Sequence, residues 1–112
     1  MTKILHVTEG NWSTLLASEQ PVLVDFWAEW CPPCHRLAPV FEKLAARYGD
    51  EIRFAKVNID EFPQLANQLG IRSIPTLVLF REGKEVERLV GVRSYEVLAG
   101  LLDRHVSVAA TG

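Results

Sequence analysis

The hydrophobic and polar positions of the chain fall into short blocks that predict five β-strands and four α-helices. Strands are predicted over 3–7, 22–28, 52–59, 76–81 and 85–90. Residues 22–28 (VLVDFWA) form a nearly continuous apolar run with β-branched and aromatic side chains, which is typical of a strand buried on both faces. Residues 76–81 and 85–90 are joined by a short segment that contains Gly83, which predicts a β-hairpin.

Helical spacing of apolar residues predicts the four helices. The longest runs from Cys34 to Tyr48, contains Pro39, where we expect a kink, and is expected to end at Gly49. The other three helices are shorter, and capping residues, glycine or proline mark their predicted boundaries. These boundary residues are Thr8 and Pro21 for the first helix, Asp60 and Gly70 for the third, and Ser94 for the last.

The order of the elements predicts how the strands pair. The first three strands are separated by helices, so they should be parallel, whereas the last two are joined by a tight turn and should be antiparallel. We therefore predict an α/β fold in which a mixed five-stranded sheet, three parallel strands plus an antiparallel hairpin, is flanked by four helices on both faces. Residues 1–112 are expected to form one domain, with a frayed tail at 107–112.

Composition and charge narrow the class of partner. The 112 residues are 48% hydrophobic and 23% charged, an ordinary balance for a globular protein, and the net charge is −2. No basic stripe is present to bind a phosphate backbone, so we expect no nucleic-acid partner. No apolar run approaches the roughly 20 residues of a membrane span, and the amino terminus has no signal-peptide core. We therefore expect a cytoplasmic protein that binds no membrane.

Two cysteines, Cys31 and Cys34, lie three positions apart and are separated by two prolines. In a reducing cytoplasm such a pair is more often catalytic or metal-binding than structural. A structural zinc site needs four ligands, usually two such pairs, and the three histidines of this chain are scattered over separate predicted elements. We therefore expect no metal.

The segment CPPCH (31–35) also matches the C-x-x-C-H signature of covalent haem attachment. The single methionine of the chain is Met1, so a methionine ligand for the iron is missing. The pair also lies in a strand–helix unit whose core needs no cofactor to fill it. We therefore expect no haem or other cofactor.

A structural disulfide is a third possibility, but a weak one. The chain-entropy relation gives about 2 kcal/mol for a loop of about four residues, against about 3 kcal/mol for fifteen. A redox-active dithiol fits better, because Cys31 falls at the carboxyl end of a buried strand and at the amino end of a helix. The free N–H groups and the dipole of a helix start favour the thiolate over the thiol.

Longer motifs extend this reading over most of the chain. The segments DFWAEWCPPC (25–34), KVNID (56–60), GIRSIPT (70–76), LVLF (77–80) and GVRS (91–94) resemble the thioredoxin family in order and in spacing. The resemblance covers about residues 3–106. It implies the thioredoxin fold and the reduction of disulfide bonds in protein substrates.

The resemblance also implies roles for individual residues. Cys31 would be the exposed nucleophile and Cys34 the resolving thiol, while Asp25 would be the buried acid behind Cys34 and Lys56 a neighbouring base. A surface that grips an extended substrate segment would consist of Trp30, Pro33, Ile74, Pro75, Gly91 and Val92, with Pro75 in the cis form. A reductase that draws on NADPH would return the electrons, and the protein would act as a monomer.

The residues themselves support part of this assignment. A carboxylate at Asp25, inside VLVDFW, is costly unless it is paired or protonated, because burial disfavours its charged form. A carboxyl that titrates near neutrality could take the proton of Cys34. A strand end that reaches water remains an alternative for Asp25, a solvated side chain for Lys56, and plain surface packing for Trp30.

The sequence departs from the family at two positions beside the cysteines. Pro32 replaces the usual glycine, which removes one N–H donor and stiffens the segment, and His35 stands where lysine is common. We expect both to tune the site, giving a moderately less reducing dithiol, although His35 could also be a solvated helix residue. A thiol oxidase or isomerase, and a binding subunit with the same fold, are the alternative functions.

Overall fold

The computed structural model describes residues 4–106, so the tail predicted to fray at 107–112 lies outside the described residues. The strands are β1 (Ile4–His6), β2 (Val22–Trp27), β3 (Arg53–Asn58), β4 (Thr76–Arg81) and β5 (Lys84–Val90). The helices are α1 (Trp12–Leu16), α2 (Pro32–Tyr48), α3 (Pro63–Gln68) and α4 (Tyr95–Asp103). Within residues 4–106, no helix is long and apolar enough to cross a membrane.

The five strands form one mixed sheet in the order β1-β3-β2-β4-β5. Strand β3 pairs in parallel with both β1 and β2, while β4 pairs antiparallel with β2 and with β5. The predicted parallel and antiparallel groups are therefore confirmed. Because β2 lies between β3 and β4, both of its edges are hydrogen-bonded, and Asp25 in its middle has Lys56 on one side and Leu77 on the other.

Alternation along β2 divides the core into two layers. Leu23 packs in a cluster with α2 and α4, whereas Val22, Val24 and Phe26 pack in a second cluster with α1 and α3. Successive residues of a strand point to opposite faces of the sheet, so Asp25 lies on the same face as Leu23, toward α2 and α4. The nearly continuous apolar pattern of β2 thus reflects burial on both faces, as predicted.

The helix boundaries confirm some sequence signals and correct others. Ser94 caps α4 as predicted, its side chain accepting the N–H of Val97 at 3.2 Å. Thr8 is not a helix cap, because the N-cap of α1 is Asn11, whose side chain accepts the N–H of Thr8 in a preceding turn. The predicted Asp60 cap is also wrong, since α3 has its N-cap at Phe62.

Candidate active site

The two cysteines lie where β2 ends and α2 begins. Cys31 is the N-cap of α2 and has an extended backbone, while its sulfur accepts the N–H of Cys34 at 3.2 Å. Prolines occupy the first helical positions, where a missing N–H leaves no intrahelical bond unmade and the fixed φ suits the helix. The CPPC sequence therefore starts the helix and turns the Cys31 sulfur toward the N–H of Cys34.

Cys31 and Cys34 form a disulfide, with their Cα atoms 5.3 Å apart. The expectation of an exposed Cys31 is wrong for this oxidised state, because each of the two residues is only 3% exposed. The two differ in their surroundings, however. Of the described residues, nine line an open groove of about 400 Å³, and Cys31 is one of them while Cys34 is not. Cys31 therefore contributes to the lining of the groove, whereas Cys34 does not.

The groove brings together sequence segments that are far apart in the chain. The predicted residues Trp30, Pro33 and Ile74 line it together with Pro32. The structure adds four residues to which the sequence analysis assigned no role, namely Ile59, Ile71, Arg72 and Ser73, although they lie in the segments KVNID and GIRSIPT. They come from the segments that follow β3 and α3, which also place Ile59 and Ile74 against the cysteine pair. That packing explains the low exposure of Cys31.

The segment between α3 and β4 places Ile74 beside the reactive disulfide. The carbonyl oxygen of Ile74 lies 3.8 Å from the Cys31 sulfur, and the Ile74–Pro75 peptide bond is cis. On the far side, the N–H of Gly91 donates to the carbonyl of Pro75 at 2.8 Å, which sets Gly91 and the 39% exposed Val92 next to the same segment. Of the substrate-gripping residues implied by the resemblance, Trp30, Pro33 and Ile74 thus line the groove at Cys31, whereas Pro75, Gly91 and Val92 lie next to it and do not line it.

Two sets of hydrogen bonds hold the start of the segment between α3 and β4. Gly70 has φ +69°, and its N–H and that of Ile71 donate to the carbonyls of Asn67 and Ala66, which closes the last turn of α3. The Arg88 guanidinium on β5 also donates to the carbonyls of Leu69 and Gly70 at 2.6 and 3.3 Å. Gly70 was predicted as the terminator of this helix. The role of Arg88 could not be predicted, since it depends on a contact across the sheet.

Trp30 is 64% exposed, beside the disulfide. Its indole N–H donates to a carboxylate oxygen of Asp60 at 2.8 Å, so the ring is fixed although most of it faces solvent. A fixed, exposed aromatic side chain at a groove is suited to contact a partner, because little conformational freedom is lost on binding. Asp60, interpreted from the sequence as a helix cap, is thus the residue that orients Trp30.

Asp25 is completely buried on the α2 side of the sheet. Neither of its carboxylate oxygens has a hydrogen-bond partner among the described residues. Burial raises the pKa of Asp25 from 3.8 to about 7, and this effect outweighs the lowering by the positive charge of Lys56. The alternative of a strand end that reaches water is therefore wrong, and the carboxyl can exchange a proton near neutral pH.

Lys56 is the neighbour of Asp25 on β3, but its ammonium group points elsewhere. The Nζ atom lies 4.7 Å from the centre of the Trp27 ring, a cation–π geometry. The ion pairs found within residues 4–106 join Arg88 to Glu85 and His105 to Glu87, so Lys56 and Asp25 make no direct pair there. Lys56 acts on Asp25 through space rather than through a contact.

His35 also contacts the loop that carries the cysteines. Its Nε2 atom lies 2.6 Å from the carbonyl oxygen of Glu29, and its ring meets the edge of Trp27 at a centroid distance of 6.3 Å. The residue is exposed, but its ring is fixed by this bond. In the part of the chain that the structure describes, no three His, Cys, Asp or Glu side chains are grouped so as to hold a metal ion.

Comparisons with known proteins agree with this geometry. The thioredoxin family model matches residues 3–104. The chain is 50% identical over 107 residues to Thioredoxin 1 of Synechococcus elongatus, covering 95% of this chain and 100% of that protein. It is 44% identical over 106 residues to Thioredoxin M5, chloroplastic, of Oryza sativa, covering 94% of this chain and 62% of that protein.

A solved structure, the thioredoxin of Malassezia sympodialis, superimposes with a TM-score of 0.86 at 33% sequence identity, covering 94% of this chain and 92% of that one. The mixed sheet with four helices is therefore the thioredoxin fold, as the resemblance implied. With the Cys31–Cys34 pair at the start of α2, the match supports thiol–disulfide reductase activity. The chain belongs to the thioredoxin family and is a thiol–disulfide oxidoreductase.

Proposed function

We propose that this enzyme reduces protein disulfides in two steps, with Cys31 as the attacking thiol and Cys34 as the resolving thiol. The observation that carries this order is the difference between the two cysteine residues, since Cys31 lines the open groove and Cys34 does not. The N–H of Cys34, which donates to the Cys31 sulfur at 3.2 Å, would favour the thiolate form of Cys31 after reduction.

The two steps balance in atoms and electrons. The Cys31 thiolate attacks one sulfur of the substrate disulfide, forms a mixed disulfide and releases the first substrate thiolate. Cys34 then loses its proton to Asp25 and attacks the Cys31 sulfur, which releases the second substrate thiolate and closes the 31–34 disulfide. Two electrons pass from the cysteine pair to the substrate. A carboxyl whose pKa lies at about 7 suits this proton transfer, since it accepts a proton readily at neutral pH.

The groove would bind the substrate as an extended segment. Trp30, Pro33 and Ile74, which line the groove, would contact this segment, and the neighbouring Pro75, Gly91 and Val92 would extend the binding surface. Among the described residues, the backbone N–H and C=O of Ile74 take part in no backbone–backbone hydrogen bond, so both are free to pair with a substrate strand. Pro75 has no N–H to set against the Cys31 sulfur.

The cellular setting is part of the same proposal. We infer a single domain over 1–112 that works as a cytoplasmic monomer in electron transport, without a bound cofactor. An NADPH-dependent thioredoxin reductase would return electrons to the 31–34 disulfide. Pro32 and His35 would tune the potential, Pro32 by removing an N–H at the first helical position and His35 through its bond to the Glu29 carbonyl.

Covalent trapping tests the order of the two steps. With Cys34→Ser, the first attack still occurs but resolution fails, so substrate proteins should stay attached to Cys31 until dithiothreitol releases them. The matched control is Cys31→Ser, which keeps one thiol but should trap far less because Cys34 does not line the groove. Equal trapping by the two variants would overturn the assigned order. The absence of insulin reduction by the unaltered protein would favour a binding subunit instead.

The redox potential separates a reductase from an oxidase. Equilibration with glutathione should give a potential somewhat above the value of about −270 mV known for thioredoxin and well below the value of about −120 mV of a strong oxidant. A value near the second would identify a thiol oxidase. The replacement Pro32→Gly, which restores the common CGPC sequence, is the matched comparison for the effect of the proline.

A further inference from the structure

The placement of the Lys56 ammonium group is the feature that the two-step scheme leaves unexplained. Asp25 and Lys56 are direct partners in the parallel pairing of β2 and β3, so their side chains start from neighbouring positions of the sheet. An ammonium group beside a buried carboxylate would ordinarily form an ion pair with it. Here the Nζ atom lies over the ring of Trp27 instead, 4.7 Å from its centre.

Strand geometry explains how Trp27 reaches this ammonium group. Trp27 lies two residues after Asp25 on β2, so the two side chains share the face of the sheet that carries α2. Trp27 pairs with Asn58, which is two residues after Lys56 on β3. The Lys56 side chain therefore leans forward along the strands to the indole ring, rather than across to the carboxyl beside it.

The Trp27 ring is itself held in place on several sides. It packs against Ala28 and the cysteine pair, and its edge meets the ring of His35 at an interplanar angle of 80°. Its indole N–H is buried and has no hydrogen-bond partner among the described residues, so no polar contact of this group fixes the ring. Packing and the contact with Lys56 thus set the position of the ring.

We propose that Trp27 is a positioning residue that holds the Lys56 ammonium over its ring and thereby prevents a direct ion pair with Asp25. The consequence is a carboxyl that keeps its proton-accepting power, and the inference rests in this respect on the base role proposed above for Asp25. Trp27 touches neither the substrate nor the proton. Its effect passes entirely through Lys56.

Other groups around the carboxyl do not account for the same effect. Strand β4 places the apolar Leu77 beside Asp25, and the buried residues of α4 in the adjoining cluster, Leu98, Ala99 and Leu102, are apolar, while the hydroxyl of the partly buried Tyr95 accepts from Arg47. Helix α2 contributes Cys34, which is in the disulfide, and His35, whose ring lies at the Trp27 edge and bonds to Glu29. Lys56 on β3 is thus the charged group whose position matters most for Asp25.

Carboxyl titration by carbon-13 NMR in the oxidised protein tests the inference without any redox step. Trp27→Leu removes the ring face and frees the ammonium to pair with Asp25, so the pKa of Asp25 should fall by about one pH unit or more. Trp27→Phe keeps an aromatic face and should leave most of the original value. An unchanged pKa in Trp27→Leu would overturn the proposal.

A second background separates the charge from a general change in packing. In Lys56→Met protein there is no ammonium group to release, so adding Trp27→Leu should leave the pKa of Asp25 where Lys56→Met alone puts it. If the same fall appeared in this background, solvent entry rather than Lys56 would be its cause, and the proposal would be wrong.

Two further measurements keep the proposal testable. The first needs no variant, so it applies even if the Trp27 variants do not fold, and the second tests the base role of Asp25 separately. In the unaltered protein, the ε-methylene protons of Lys56 should be shifted upfield by the indole ring, and ordinary lysine shifts would contradict the proposal. The resolution rate of Asp25→Asn tests the base role separately. A pH profile unchanged by that replacement would remove the base role, whereas the titration of the Trp27 variants would still decide the positioning role.

Discussion

Two buried polar groups, one near each end of α2, differ in their hydrogen bonding. At the carboxyl end, the Tyr48 side chain is almost fully buried, and its hydroxyl donates to Asp103 at 2.6 Å and lies 3.2 Å from the carbonyl oxygen of Ala99. At the amino end, Asp25 lies on the face of β2 that carries α2, with no hydrogen-bond partner among residues 4–106. The two groups share one apolar layer of the core.

This difference in hydrogen bonding gives the two groups different pKa values and different roles. Burial and the Asp103 carboxylate raise the pKa of Tyr48 to about 12, so this group stays neutral at any physiological pH and ties α2 to α4. The unpaired Asp25 has its pKa raised to about 7, into the range where a proton can move. Left without partners, a buried carboxyl destabilises the fold, and such groups are concentrated at functional sites.

The largest effect is expected for Asp25→Asn, which should change the pH dependence of the free energy of unfolding. With a folded pKa of about 7 against 3.8 unfolded, the contribution of Asp25 to stability is most favourable below about pH 4 and falls as the pH rises to 7, by roughly 4 kcal/mol. Asp25→Asn removes this fall. Urea unfolding should therefore show that, between pH 4 and pH 8, the free energy of unfolding of the variant rises relative to that of the unaltered protein by about that amount.

A matched control for this experiment is Asp50→Asn, in an exposed turn at the other end of α2. It makes the same replacement of a carboxyl by an amide at a position where the side chain faces solvent. Parallel curves for Asp25→Asn and the unaltered protein between pH 4 and pH 8 would contradict the comparison, because Asp25 would then have the same pKa folded and unfolded.

The second effect concerns the carboxyl end, where Gly49 follows Tyr48. A Cβ atom at Gly49 would lie 2.6 Å from the carbonyl oxygen of Ala45, so Gly49→Ala must shift the backbone and should cost about 1–3 kcal/mol. Gly100→Ala is the control, since a Cβ there meets nothing within 4 Å in the middle of α4 and alanine should stabilise the helix. Chemical unfolding measures both, and a stabilising Gly49→Ala would refute the steric argument.

The smallest effect is expected for Tyr48→Phe. The replacement keeps the ring and removes the hydroxyl, while Asp103 is exposed and can turn to water, so the loss should be about 1 kcal/mol. Thermal and urea unfolding should show the same loss at pH 5 and pH 8, unlike the Asp25 variant. A loss that changes strongly over this range would mean that the tyrosine end also holds a titrating group.

The strands were predictable because they depend on local pattern. The continuous apolar run of β2, the turn at Gly83 and the cap at Ser94 are local signals, and the structure follows them. Gly49 was correctly predicted to end α2, but its φ is −62°, so the reason is space near Ala45 rather than a left-handed conformation.

Those features of the site that follow from residue types and spacing could be predicted from the sequence. Those that depend on packing between distant segments could not. The cysteine pair and the buried position of Asp25 follow from residue types and spacing. The low exposure of Cys31 depends on the segment before Pro75, more than 40 residues away in sequence, which no local pattern reports. Asp60 was misread for the same reason, because its partner Trp30 lies 30 residues earlier.

The central place of β2 in the sheet affects how well its backbone hydrogen bonds survive repeated redox cycles. With β3 on one edge and β4 on the other, this strand can loosen only if the ladder on both sides opens together. Thiol exchange requires nothing of the kind, since its bonds are made and broken beyond the strand's end. Repeated oxidation and reduction therefore leave the most protected amides of the molecule undisturbed.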